Sequence, residues 1–190
     1  MAIAFLPSAT QPAAVFVTGL NPGTNAFVSA EGRWTGRYVP AYLRRYPFII
    51  GDVPDAEPVL CVDDAYEGFA ADEGVRLFSP KGEPEPVVAE ALALARGYRE
   101  AAQRTDRLCR MLQEMALLRA VTLDARLPDG RTTVVHGLLT VDEGALDALP
   151  EADLAELHRQ GFLKPVFAHL FSLKAASRLA ERGPQRASIA

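Results

Sequence analysis

Cysteine is scarce in this 190-residue sequence, with Cys61 and Cys109 the whole complement. Both sit among predominantly apolar neighbours, which fits a reducing compartment better than a disulfide scaffold; a single bridge between them is the alternative. Long hydrophobic runs are also missing. Charges or prolines break each one short of the roughly 18 apolar residues that a membrane-spanning helix needs, so no membrane insertion is expected. The start, MAIAFLPSATQPAAVFV, has neither a positively charged opening nor a long apolar stretch, and Pro7 and Pro12 interrupt it, which argues against a secretory leader. These absences predict a soluble, cytoplasmic chain. Excess positive charge is lacking too: the formal net charge is -4 and the pI about 5.4. No nucleic-acid partner is therefore expected, and any anion site must be local.

Familiar catalytic patterns are absent. There is no Gly-x-Ser-x-Gly elbow and no phosphate loop of the Walker or Rossmann type. His136, His158 and His169 lie outside any His-Glu-x-x-His or Cys-x-x-Cys arrangement, so packing or surface roles suit them better than zinc. Neither cysteine has a base or an electropositive neighbour pattern that would make it a nucleophile. No metal site and no cofactor is expected. Asp63-Asp64, Tyr66-Glu67 and Asp72-Glu73 form an acidic patch of hard oxygen donors, but the spacing matches no calcium loop. A solvated loop, or a partner for nearby arginines, is the simpler role.

What is present reads as an α+β fold. With 49% hydrophobic and 23% charged residues the chain is an ordinary globular one, long enough to bury a core. We read 1–183 as a single α+β domain and 184–190 as a flexible C-terminal tail. Ala13 to Thr18, then a turn at Pro22-Gly23, then Asn25 to Ser29 predict a hairpin. Tyr46 to Ile50 and Pro58 to Val62 add two further apolar runs, so this region reads as a small antiparallel β-sheet. Val75, Leu77 and Phe78 could form a short edge strand or pin a breaker-rich loop. From Val87 to Leu118 apolar residues recur at steps of three and four, predicting one long central helix that Gly97 could bend or break. Val121 to Leu127 and Arg131 to Leu139, joined by Pro128-Asp129-Gly130, predict a second β-hairpin. C-terminal helices follow: a short one from Asp142-Glu143, one from Leu149-Pro150-Glu151 to Gly161, and a last one from Lys164-Pro165 that stops at Gly183-Pro184. No internal repeat is evident.

The segment Glu31 to Phe48, EGRWTGRYVPAYLRRYPF, is where binding chemistry concentrates. Arginine offers planar, bidentate hydrogen bonding to carboxylate or phosphate, and aromatic rings give low-entropy apolar faces that stack on guanidinium. We take Arg33, Trp34, Arg37, Tyr38, Arg44, Arg45 and Tyr46 as the candidate ligand- or partner-binding residues, with Glu31, Asp63, Asp64 and Glu67 as possible supporting carboxylates. The structural alternative sends Trp34, Tyr38 and Phe48 into the core and pairs the arginines with those four carboxylates. Two or more arginines facing solvent without carboxylate partners would favour binding.

The same segment carries a family resemblance. Asn25 to Trp34, then Arg37-Tyr38-Val39-Pro40-Ala41 and Arg44-Arg45-Tyr46-Pro47-Phe48, resemble the signature of the SapC family. Leu60-Cys61-Val62-Asp63 with Tyr66-Glu67-Gly68, Arg76-Leu77-Phe78, and Gly137 to Asp142 with Leu146, Leu149 and Pro150 look like its later landmarks. The resemblance implies a bacterial protein related to surface layers, with no catalytic residues assigned across the family. It also implies an accessory role in an uptake or modification system, since members are commonly encoded near oxygenases and outer-membrane receptors. Relatives generally carry an extra N-terminal segment before the part matching Ile3 to Leu20, so a strand is expected to be missing or supplied by a partner.

Two functions follow as expectations. The preferred one is a non-catalytic accessory or interaction protein that binds a protein, peptide or anionic ligand through the arginine and aromatic segment. The alternative is an enzyme with an unrecognised site, in which Arg33, Arg37 or Arg45 orients an anionic small molecule and Asp63, Glu67 or a tyrosine moves a proton. A homodimer through an exposed sheet edge is a further possibility.

Overall fold

The structure is a computed structural model that describes residues 1–21, 23–70, 73–126, 130, 132–176 and 179. The Pro22 and Pro128-Asp129 turn positions, Asp72 of the acidic patch, the Gly183-Pro184 stop and the expected tail lie outside the described residues. The fold is α+β, and its backbone contacts divide it into two compact units, Met1–Gly36 with Thr105–Ala190, and Arg37–Arg104.

The first unit is built on a four-stranded antiparallel sheet of β1 (Ala2–Leu6), β2 (Ala13–Val17), β5 (Leu118–Arg126) and β6 (Thr132–Val141), in the order β2-β1-β6-β5. The predicted Val121 to Leu139 hairpin forms, and extends further at both ends. Its register shifts between Val121 and Leu123, because His136 and Gly137 together oppose Thr122. Gly137 adopts φ 78° there, a conformation that an L side chain resists. The expected hairpin between Ala13–Thr18 and Asn25–Ser29 does not form. β2 pairs instead with β1, from Ala2↔Val17 to Leu6↔Ala13. Asn25 turns inward: its side chain accepts the Phe27 N–H at 2.9 Å, and Ala26 N–H binds Thr18 O at 2.8 Å. That local bonding leaves Asn25–Ser29 too curved to act as a strand.

Both faces of this sheet carry core. Ala2, Ala4, Val17 and Leu138 pack with Leu20, Ala26 and Phe27 on one side. Phe5 and Val141 pack with Leu112, Leu157 and Val166 on the other. β1 meets β6 only at Phe5↔Leu139, so the backbone of Ile3 needs other partners. α5 (Leu163–Ser172) supplies them: Ile3 N–H donates to Ser172 Oγ at 2.8 Å, and His169 Nδ1–H donates to Ile3 O at 3.0 Å. On its other side the His169 ring accepts Val141 N–H through Nε2 at 3.1 Å. This neutral arrangement suits a side chain that is 1% exposed, and burial pushes its pKa down.

Local signals place the remaining helices. Asp142 caps α3 (Glu143–Asp147) by accepting the Gly144 and Ala145 N–H groups. α4 (Glu151–Arg159) ends with Phe162 N–H on Leu157 O, Gly161 N–H on His158 O and Gly161 at φ 72°. The same closure ends the long helix α2 (Pro86–Glu114), where Leu117 N–H binds Leu112 O and Ala116 N–H binds Gln113 O. Here the left-handed position, φ 54°, is filled by Ala116. Gly97 does not break this helix, which runs through it without interruption.

The second unit holds α1 (Ala41–Arg44), a two-stranded hairpin of β3 (Phe48–Gly51) and β4 (Val59–Val62), and the Pro86–Arg104 part of α2. The single small sheet expected from the first third of the chain is thus two separate sheets. Val75, Leu77 and Phe78 form no strand; Phe78 makes one isolated bridge to Pro84, and Val75 is 78% exposed. Among the described residues of this unit, burial is confined to Pro40, Pro47 and Ala95. Among the described residues, most exposed large hydrophobic side chains belong to it.

Candidate functional site

The Glu31 to Phe48 segment is divided between the two units. In the first, Ser29 starts a tight turn: its N–H binds Arg33 O at 2.8 Å, and its hydroxyl donates to Glu31 at 2.7 Å. That hydroxyl holds the Glu31 carboxyl below its ordinary pKa. Arg33 approaches Glu31 at 3.8 Å with both side chains largely in water, a contact worth little. Trp34 stacks on the buried Phe27, with ring centroids 5.5 Å apart and 18° between planes. Trp34 is therefore partly buried core packing, as the structural alternative expected of it.

In the second unit, Arg44 lies over the Tyr38 ring at 5.7 Å. Arg45 packs against two rings that touch each other, its Cζ 4.9 Å from the centroid of Tyr42 and 4.7 Å from that of Tyr98, with the two centroids 6.1 Å apart. Its Nη1 donates to Phe48 O at 3.3 Å, whereas its buried Nε has no partner. Arg37 is exposed and has no partner among the described residues. Tyr46 donates its hydroxyl to Asp63 at 3.0 Å, and that bond raises the phenol's pKa. A chain of edge contacts follows from Tyr46 to Tyr66 and from Tyr66 to Phe69, each with centroids 5.3 Å apart, and on to Phe48.

Of the arginine–carboxylate network considered, Arg33–Glu31 is the one pair that forms among the described residues. Asp63 spends its oxygens on Tyr46 and on Ala65 N–H, while Asp64 and Glu67 are exposed without an ion pair among the described residues. Arg37, Arg44 and Arg45 have no carboxylate within 4.0 Å among the described residues. The reason is geometric. Packing against Tyr42 and Tyr98 holds the Arg45 head, and the Asp63 turn aims its carboxylate at the Tyr46 phenol. Arg99 pairs with Asp52 at 2.6 Å, a contact that composition alone did not indicate.

Tyr42 and Tyr98, which hold a candidate residue, were not among the candidates that sequence reasoning chose. Tyr98 stood in the apolar stripe of the long helix, and its one distinguishing signal is being an aromatic ring among alanines. Guanidinium stacking adds about 0.5–2 kcal/mol per contact and prepays the ordering of a long side chain. The pair of rings thus presents Arg45 pre-organised.

Other sites offer less chemistry. A depression of about 210 Å³ in the first unit is lined by Pro7, Ser8, Pro12, Gln113, Ala116, Leu118 and Leu139, and contains none of the candidate groups. Among the described residues, no cluster of three or more His, Cys, Asp or Glu side chains is placed to hold a metal ion. Nor is any described helix long and apolar enough to cross a membrane. Cys61 and Cys109 are both free thiols, so the alternative of a bridge between them is not realised; burial pushes the Cys109 pKa up.

The sequence model of the SapC family matches residues 1–179. No curated protein and no solved structure matches the chain.

Proposed function

Starting from the premise that this chain belongs to the SapC family, we propose that it is a non-catalytic interaction protein that takes a carboxylate-rich polypeptide segment on the Arg37–Tyr46 face. The observation that carries this reading is three guanidiniums, those of Arg37, Arg44 and Arg45, without carboxylate partners among the described residues, the last packed against two tyrosine rings. An incoming carboxylate would answer donors that the fold leaves open, and each charge-assisted hydrogen bond contributes about 1.5–3 kcal/mol. Tyr38, Tyr42 and Tyr46, each more than half exposed, add rigid apolar area beside those charges. The setting we favour is cytoplasmic service to a surface-layer, uptake or modification system.

Fluorescence anisotropy with a labelled peptide of alternating glutamate and tyrosine tests this directly. Binding should weaken at least tenfold in the double variant Arg37→Ala with Arg44→Ala, and should weaken as salt rises. A peptide that fails to bind, or binds the double variant equally well, would sink the reading.

A further inference from the structure

Helix α5 is apolar on the side that packs against the sheet and, unusually, on part of its outer side as well. Val166 and His169 are buried, and His169 reaches Ile3 and Val141 of the strands beneath. Phe167 and Phe171 point outward, 45% and 73% exposed, and stack on each other with centroids 6.4 Å apart and 25° between planes. Steps of three, four and three residues place Lys164, Phe167, Phe171 and Lys174 in one stripe along α5 and the 3-10 turn Leu173–Ala175 that continues it. All four are exposed. The stripe is an apolar ridge with a lysine at each end.

The charge around this ridge has one sign. The chain carries a net charge of -4, yet no Asp or Glu occurs between Glu156 and Glu181, a stretch that contains Arg159, Lys164, Lys174 and Arg178. The strands that α5 packs on, β1 and β6, contain no acidic residue either. Asp142, directly after β6, caps α3 and approaches Arg119 at 3.8 Å. Lys164 has no carboxylate within 4.0 Å among the described residues. It stands in the first turn of α5, where there is neither an acidic residue nor a side-chain cap. A cation there opposes the helix dipole, so its placement does nothing for the helix and suits an anion outside the chain.

These features discriminate among occupants. A second copy laid along the stripe, in either direction, would set lysine against lysine at its ends. A rigid protein partner would need a groove shaped to a convex pair of rings, with polar groups at its rim. A bilayer surface needs neither: rings enter the boundary of the acyl chains, lysine stems follow them, and the ammonium groups stay among anionic headgroups.

We infer that α5 docks the protein on an anionic lipid surface, with Phe167 and Phe171 in the interface and Lys164 at the headgroups. The helix lies on the bilayer and does not cross it. This surface belongs to the first unit and is independent of the arginine face proposed above. Two rings and a few charges make the attachment weak and reversible.

Sedimentation of the full chain with vesicles of phosphatidylglycerol and phosphatidylcholine in equal parts tests this. The chain should pellet with these vesicles and stay in solution with phosphatidylcholine alone. Affinity should fall at least about tenfold in the double variant Phe167→Ser with Phe171→Ser, and should fall in Lys164→Glu and as salt rises. Both phenylalanines are exposed, so the urea midpoint of the double variant should match that of the natural chain. In Phe171→Trp, vesicles should shift the emission to the blue, and lipids brominated in the acyl chain should quench it. The natural chain, whose Trp34 packs on Phe27, is the reference for that signal. Absence of vesicle binding, binding indifferent to the two phenylalanines, equal binding to phosphatidylcholine alone, or an unquenched Phe171→Trp overturns the inference. Phe171-dependent binding of the glutamate and tyrosine peptide without binding to vesicles overturns it too, and assigns the ridge to a protein.

Discussion

Residues 27–35 and 77–85 make the same turn in the two units. In each, a serine N–H binds the carbonyl four residues on, at 2.8 Å, and the serine carbonyl accepts a glycine N–H three residues on. The serine hydroxyl takes a further N–H, and Gly32 and Gly82 adopt φ 76° and 79°. The flanking pair closes in both cases, Thr35 N–H on Phe27 O and Glu85 N–H on Leu77 O. Yet Phe27 is 8% exposed beneath Trp34 while its counterpart Leu77 is only half-buried, and Phe78 is 55% exposed where its counterpart Val28 is half-buried. The backbone needs only Ser-x-x-Gly; burial needs a surface to pack against. The first unit supplies one in its four-stranded sheet, and the second, with a two-stranded hairpin, does not.

This contrast should be largest in stability. Leu112, fully buried in the first unit, should cost about 2–5 kcal/mol when changed to Ala, whereas Ile49→Ala should cost under about 1 kcal/mol. Urea unfolding compares the two, and equal costs would break the comparison.

His169→Leu, which leaves Val141 N–H without its acceptor, should cost roughly 1–3 kcal/mol. The buried ring also sets a pH dependence. Its folded pKa lies below the unfolded value of 6.5, so the unfolded chain binds more protons between the two. This contribution is fully present above about pH 6.5 and is lost as pH falls toward the folded pKa. Urea midpoints from pH 7.5 to 5 should fall in the natural chain, and the part due to His169 should be gone in His169→Leu.

The twin turns give a finer test. Neither glycine has an atom within 4 Å of an added Cβ, so Gly32→Ala and Gly82→Ala should each cost only the left-handed strain, about 1–2 kcal/mol. The Gly32 change should lower global stability, and the Gly82 change should speed amide exchange in the second unit alone. Smallest and of opposite sign, Ala116→Gly should relieve strain at the end of α2 and stabilise by roughly 0.4–1 kcal/mol, read as a rise in thermal midpoint.

Much of the fold was legible because its signals are short-range. The three- and four-residue spacing gave α2, the polar turn gave β5–β6, Asp142 marked a start that its side chain caps, Pro150 a start set by its fixed φ, and Gly161 an end that needs a left-handed residue. β1 escaped notice because five residues, AIAFL, carry too little pattern, and its role depends on distant partners: Phe5 lies opposite Ala14 in β2 and Leu139 in β6. The candidate site divides similarly. Its arginines and tyrosines were visible as composition, but Arg45 meets Tyr98 only because α2 carries that ring back to α1.

The sequence by itself determined the family, the long helix, the β5–β6 hairpin and the C-terminal helices, since each signal lies in residues within a few positions of one another. Only the tertiary structure decided which strand β2 pairs with, that Trp34 packs inward, and that the arginines stack on tyrosines rather than pair with Asp63, Asp64 and Glu67. Those outcomes are set by competition among distant partners for the same side chain, and geometry, which composition does not carry, picks the winner.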